Sequence, residues 1–422
     1  MKGRALLLDV GPAWEAAALI EDGRLEDLLL RPAEERCAPA PEALFAARVA
    51  RLAPKTGVAF AALPGGAQAF LNAPGQVSQG RVSQGRVSQG RVSQGRVSQG
   101  KVSQGGVLKG QASEGETLRL EIRTHPEAGK AWPATEKLGL RGRRLSLTPG
   151  APGLNVSRAI SDEARRAALR AAMGAALEGE ADLGCVARTA AERATPQEIA
   201  AEAAWLLSRW RALEASASAP AAPALLQAAP GPAALALREW RAEDAEILAT
   251  PRSGDARSGA LSAALERTLS PSDPLRDRVS AAEPTLFERF DVAGQALAAL
   301  DPRAALGRGA WLAIEPTAAL TAIDVNSGPE MSALAADLAA AAAAPRLLRL
   351  RGSGGLIAID FISQGAEPRA KIARALEAAA RRDAVPLKPL GWTRGGVLEA
   401  TRKRARRPLD LLAIERWMRE SM

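Results

Sequence analysis

Two short apolar runs, Ala319 to Ile323 and Leu356 to Ile359, each end in an aspartate, Asp324 and Asp360. Rich in Ile, Leu and Ala and bounded by Gly and Ser, they predict buried strands. Between them the tract from Ser332 to Leu350 is dense in Ala and Leu, with Arg near its end. That predicts a helix whose cationic end is favoured by the dipole. Pro345 is expected to kink or end it about a turn early. Strand, helix, strand is a crossover unit, so the two strands should run parallel with both aspartates at one edge. Open α/β sheets hold their ligands at such an edge. Two adjacent carboxylates repel unless a cation lies between them. Hard oxygen ligands near phosphate favour Mg²⁺, with Mn²⁺ as a substitute. A strand-end turn or a helix cap is the plain alternative for each aspartate, and spacing alone does not decide between the readings.

The pattern differs elsewhere. Residues 3–35 alternate apolar and polar runs around Glu21-Asp22-Gly23, a hairpin signal. From Cys37 to Ala73 short apolar runs are broken by Pro-Lys-Thr-Gly and Pro-Gly-Gly, which predicts a small antiparallel barrel. Phe60 and Phe70 fall in two of these runs; on a barrel's open face they would stack bases, and in its core they would simply pack. The pentad VSQGR then recurs, its VSQG core appearing six times from Val77 to Gly105. A period of five fits neither helix nor strand, and one Val per pentad buries too little surface to offset ordering entropy. A disordered basic insertion is expected there, or an arm holding phosphates. Ser161-Asp162 before an Ala-rich tract marks a helix start. Trp205, Leu206 and Trp210 share a helix face and read as core. Thr401 to Arg407 holds five basic residues in seven, expected as a solvated helix face or a contact with a nucleic-acid backbone.

Composition narrows the chemistry. A chain of 422 residues suggests several structural units. Its net charge of +9 points to a polyanionic partner, but six of those charges sit between Gln76 and Gln111. No stretch of 18 apolar residues predicts a membrane span, and Asp9 interrupts the first apolar run, unlike a signal peptide. Cys37 and Cys185 form no CxxC and read as small apolar fillers in a reduced, cytoplasmic chain. His125 is the sole histidine, in a turn-like His-Pro-Glu, so a nucleophile relay or His-rich zinc site would have to use it. Carboxylates and a metal remain for chemistry.

IDVNSG followed by a helix, then RLRGSGGLIAIDFI, resembles the catalytic core of the ribonuclease E/G family of endoribonucleases. The resemblance implies that Asp324 and Asp360 hold Mg²⁺ and that Asn326 hydrogen-bonds in that site. GVAFAALPGGAQAFL is similar to the central strands of the family's S1 RNA-binding barrel, which places Phe60 and Phe70 at stacking positions and Lys130 at a basic RNA contact. Gly142, Arg158, Arg188 and Thr189 fall at positions of a pocket that senses a 5′-monophosphate, while the arginine expected from the later AARRDAVPLK segment is Pro386, leaving Arg381 or Arg382 as substitutes. The implied fold is a multi-domain α/β chain: an S1 (OB-type) barrel inserted in an RNase-H-like module, followed by a DNase-I-like α/β catalytic module. The expected boundaries are 1–35 and 216–272 for the RNase-H-like parts, 36–135 for the barrel with its disordered insert 76–111, and 136–215 for the sensor-like module. The catalytic module takes 273–407 and a C-terminal helix 408–422.

The implied function is Mg²⁺-dependent cleavage of single-stranded RNA in RNA processing, leaving 5′-phosphate and 3′-hydroxyl ends. Three departures stand against it. The family's CPxCxG zinc-link is missing, so zinc and a zinc-linked dimer are not expected. Ser363-Gln364 replaces a usual acid, and the helix between the aspartates begins Ala-rich instead of bearing Asn and Glu. The alternative is an RNA-binding protein with lost or attenuated nuclease activity.

Overall fold

The computed structural model describes residues 3–53, 57–72, 113–127, 129–216, 222–250, 259–283 and 285–421. The VSQG repeats, and so the expectations for them, lie outside these residues. Four sheets organise the described residues. The first has five strands in the order Val279–Ala281, Glu246–Ala249, Arg4–Val10, Trp14–Glu21 and Arg24–Pro32. The expected hairpin turn is present. Asp22 and Gly23 both take left-handed φ, +49° and +81°, the geometry whose twist matches flanking strands. This sheet reaches residue 281, beyond the expected boundary at 272.

Both of its faces are covered, which explains why Arg4–Val10 reads as an unbroken apolar run rather than an alternation. Leu6 and Leu8 pack with the helix Pro232–Glu239 and its neighbours. Ala5 and Leu7 enter a different and larger core, shared with the last sheet.

Leu44–Ala53, Val58–Ala62, Gln68–Asn72, Trp132–Thr135 and Thr117–Ile122 close into a five-stranded barrel, the last strand pairing back with the first. Ala224–Gln227, expected in the second part of the RNase-H-like module, pairs with Leu44–Ala53. A third sheet runs Gly153–Val156, Leu183–Ala187, Leu145–Pro149, Leu140–Arg141. The helices Glu163–Ala176 and Pro196–Ser216 pack on it, the first capped by Asp162, which accepts from the Ala164 and Arg165 N–H groups. Leu206 is fully buried there, with Trp205 and Trp210 partly buried beside it.

The fourth sheet runs Arg303–Gly307, Ala310–Pro316, Leu320–Asn326, Gly355–Asp360, Leu398–Arg402, Lys388–Trp392. Its single parallel step is the expected crossover, made by the helix Ala333–Leu350. Pro345 does not end that helix; it is buried inside it. The carbonyl bond it forfeits, roughly 3 kcal/mol with its steric clash, is offset by packing: Ala344, Leu347, Leu348 and Leu350 are all buried around it. Arg346 and Arg349 then tie the last turns to the first sheet through the Leu25 and Glu26 carbonyls.

Two other expectations fail. Cys37 is exposed and is no core filler, unlike Cys185, whose thiol burial pushes up to about 12. The basic run Thr401 to Arg407 is no helix: it leaves the strand Leu398–Arg402 as a coil and returns to the rest of the chain through salt bridges. Arg402 pairs with Asp383, Arg406 with Asp27, Arg404 with Glu127 and Arg407 with Glu35. Four of its five basic residues are thus received by acids from four separate parts of the chain. The C-terminal helix, Leu411–Ser421, then buries Trp417 edge-on against Phe287.

Candidate active site

The crossover strands pair in register, with Leu320 beside Leu356, Ala322 beside Ala358 and Asp324 beside Asp360. Register neighbours project from the same face, on strands about 4.8 Å apart. Ile323, Val325, Ile357 and Ile359 turn into the core, so Asp324, Asn326 and Asp360 lie on the opposite, exposed face. Neither aspartate carboxylate forms a hydrogen bond or salt bridge with another described residue. Asn326 closes the turn after its strand, Oδ1 accepting from the Gly328 N–H at 3.1 Å. Gly328 has φ +61°, and a Cβ there would stand 2.3 Å from the Gly309 carbonyl oxygen. The Asn-Ser-Gly turn therefore tolerates no larger residue at its third position.

One further carboxylate serves this edge and escaped the sequence reading. Asp337, fully buried on the crossover helix, accepts from the Ile362 N–H at 2.9 Å and the Ser363 N–H at 2.8 Å. It thus fixes the segment leaving Asp360, beside Gln364, where an acid was expected. The available signal was that Asp337 is the one acid between Ala333 and Leu350. Among the described residues no group of three or more His, Cys, Asp or Glu gathers as a metal cage. A cation at the aspartate pair would complete its shell with the Asn326 oxygen, water or phosphate, as Mg²⁺ commonly does with one or two carboxylates.

On the barrel, Phe60 and Phe70 face each other across neighbouring strands. Ala59, Ala61, Ala69 and Leu71 are buried, so both half-buried rings project from the outer face, with the Arg51 guanidinium 4.5 Å from the Phe60 centroid. Lys130 is exposed and ion-paired with Glu127.

A model of the ribonuclease E/G family matches residues 139–405. The chain belongs to the ribonuclease E/G family. It is 29% identical over 306 residues to ribonuclease G of Escherichia coli K12, an alignment covering 70% of this chain and 61% of that protein. To ribonuclease E of a Nostoc species it is 31% identical over 294 residues, 68% of this chain and 42% of the relative. The chain thus spans about three-fifths of ribonuclease G.

Of the four residues expected at a 5′-phosphate pocket, Gly142, Arg188 and Thr189 lie together. Arg188 donates to the Gly142 carbonyl at 2.7 Å and to Glu239 at 2.6 Å. The Thr189 hydroxyl lies 3.1 Å from that of Ser157, the neighbour of exposed Arg158. Burial would raise the Glu239 carboxyl, but the Arg238 and Arg188 guanidiniums outweigh it and hold it down at about 2. Glu202 lies behind Gly142, accepting from the Arg144 and Leu145 N–H groups, and burial raises its carboxyl. Pro386 lines the same cleft as Arg188. Arg382 lines a different cleft and pairs with Glu21 at 3.9 Å.

Proposed function

We propose that this ribonuclease E/G family member is a metal-dependent endoribonuclease acting on single-stranded RNA, with Mg²⁺ held at Asp324 and Asp360. The observation that carries this reading is the in-register pair of exposed carboxylates with no salt bridge to any cation among the described residues. Such a pair has the donor chemistry of a hard divalent ion. When bound, that ion would supply Lewis-acid stabilisation of charge growing on the phosphate and a lowered pKa for water. The chain's own groups hold and aim: the two strands set the carboxylates, Asn326 braces the turn beyond one of them, and Asp337 braces the segment beyond the other. Attack of activated water on phosphorus, with the P–O3′ bond breaking and the 3′ oxygen leaving as a hydroxyl, would leave 5′-phosphate and 3′-hydroxyl ends.

In this reading the closed barrel is an S1 (OB-type) RNA grip. Phe60 and Phe70 stack bases there, each contributing about 1–3 kcal/mol, and Lys130 contacts the backbone. The five-stranded first sheet is the RNase-H-like module and the six-stranded sheet the DNase-I-like one. Gly142, Arg158, Arg188 and Thr189 form the 5′-phosphate pocket. The decisive experiment is cleavage of a fluorogenic A/U-rich oligonucleotide with and without Mg²⁺. Asp324→Asn should lower the rate at least a hundredfold while leaving oligonucleotide binding in place. An unchanged rate in that variant refutes the assignment. Binding by the wild-type chain with no turnover in Mg²⁺ or Mn²⁺ selects a binding protein instead.

A further inference from the structure

A cleft of about 1310 Å³ lies between the barrel, the first sheet and the coil that follows Leu398–Arg402. Phe60, Phe70, Asp324 and Asp360 are not among its lining residues. Most arginines in its wall are already neutralised, as Arg188 is by Glu239, Arg406 by Asp27 and Arg407 by Glu35. Three cations differ. Arg123, Lys403 and Lys388 line the same cleft with no carboxylate within salt-bridge distance among the described residues. They come from separate elements: Arg123 follows the barrel strand Thr117–Ile122, Lys403 lies in the coil, and Lys388 opens the edge strand Lys388–Trp392. The barrel loop and the coil are fastened together there, the His125 N–H donating to the Arg404 carbonyl at 3.0 Å.

Lys403 is exposed; partial desolvation lowers its pKa first, Arg123 and Arg141 add to that, and Glu42 and Glu121 oppose it. A second anchor connects the cleft to the aspartate face. Lys388 pairs with Thr401, Thr401 with Leu356, and Leu356 begins the exposed row of the strand that ends in Asp360. At about 3.3 Å per residue and 4.8 Å per strand, Lys388 stands roughly 16 Å from Asp360 across the same sheet face.

We propose that Arg123, Lys403 and Lys388 form a track of phosphate contacts that leads a single RNA strand from the barrel's edge to the aspartate pair. The inference rests on the nuclease reading for the destination of the strand, but not for its binding. All three are exposed and none has an ion-pair partner of its own among the described residues, so a polyanion can supply one; paired neighbours such as Arg407 have less to gain. His125, whose pKa burial and Arg407 lower to about 4, stays neutral beside Trp132 and adds a ring rather than a charge.

The test is fluorescence anisotropy of a labelled oligouridylate with the full chain in EDTA, across a series of KCl concentrations. Each contact to single-stranded nucleic acid contributes about 0.7 to the slope of log K against log salt. Arg123→Ala with Lys403→Ala should therefore lower that slope by about 1.4 and weaken binding at least tenfold. Arg407→Ala, which removes a cation already paired in the same cleft, should leave the slope unchanged. Matching thermal melts would show that the double variant folds. An unchanged slope in the double variant, or an equal loss in Arg407→Ala, overturns the proposal. Separate cleavage assays in Mg²⁺ keep the two readings apart: binding with the expected slope change but no cleavage refutes the nuclease and leaves the track standing.

Discussion

Arg406→Ala isolates the clamp between the C-terminal coil and the first sheet. Arg406 grips both oxygens of Asp27, at 2.6 and 2.9 Å, and Asp27 is 1% exposed. Truncation leaves that carboxylate with the Leu28 N–H at 2.9 Å and Arg349 at 3.8 Å. Breaking a buried pair on one side commonly costs about 3–5 kcal/mol, because the other charge stays buried without its partner. The two surviving partners put the expected loss at the lower end, about 3 kcal/mol. Asp27→Asn should also destabilise, and the double variant should lose less than the sum, with a coupling of about 1–3 kcal/mol. Urea unfolding followed by tryptophan fluorescence measures this, since Trp14 and Trp417 report on the core beside the clamp. Additive single effects, with coupling below about 0.5 kcal/mol, would show that the coil is merely laid on the sheet and not locked to it.

Three further outcomes are expected. Gly142→Ala would place a Cβ 2.2 Å from the Glu202 carboxylate and push it off two backbone N–H groups; a loss of about 2–4 kcal/mol in urea midpoint analysis is expected from overpacking and broken bonds, and wild-type stability would contradict it. Asp337→Asn replaces one acceptor of a two-N–H clamp by a donor, so stability should fall about 1–3 kcal/mol and the cleavage rate should fall with it; restored activity at high Mg²⁺ would show that the loop was loosened and not lost. Glu239 has a folded pKa of about 2 against an ordinary 4.5. Its stabilising contribution is therefore complete above about pH 4.5 and lost as pH falls toward 2, and Glu239→Gln should flatten the acid limb of the stability profile over that window.

The crossover and the aspartate register were legible because they rest on local rules: apolar runs of strand length, one intervening helix, and a fixed hand of connection. The hairpin at Asp22-Gly23 and the Asp162 cap were legible for the same reason. What escaped were consequences of distance. Pro345 stays inside its helix because residues around it are buried by a core that Ala5, Leu7 and Ile20 also enter. The run from Thr401 to Arg407 looks like a charged helix face until Asp27, Glu35, Glu127 and Asp383 are seen to be its partners. Cys37 and Cys185 are indistinguishable by composition; burial separates them. At the site, Asp324 and Asp360 announced themselves by repetition, whereas Asp337 had no motif and only its solitude in an apolar helix to mark it.

The first sheet places Glu246–Ala249 directly against Arg4–Val10. During synthesis the amino-terminal hairpins therefore wait for a neighbour encoded roughly 240 residues later, about 10–50 s at ordinary translation rates of ~5–20 residues per second. Over that interval one long edge of Leu-rich backbone stands open while the barrel emerges and closes on its own. A ribosome pausing before residue 246 would lengthen that exposure, so the yield of native chain should depend on holdase chaperones acting early and far less on events after the final sheet is made.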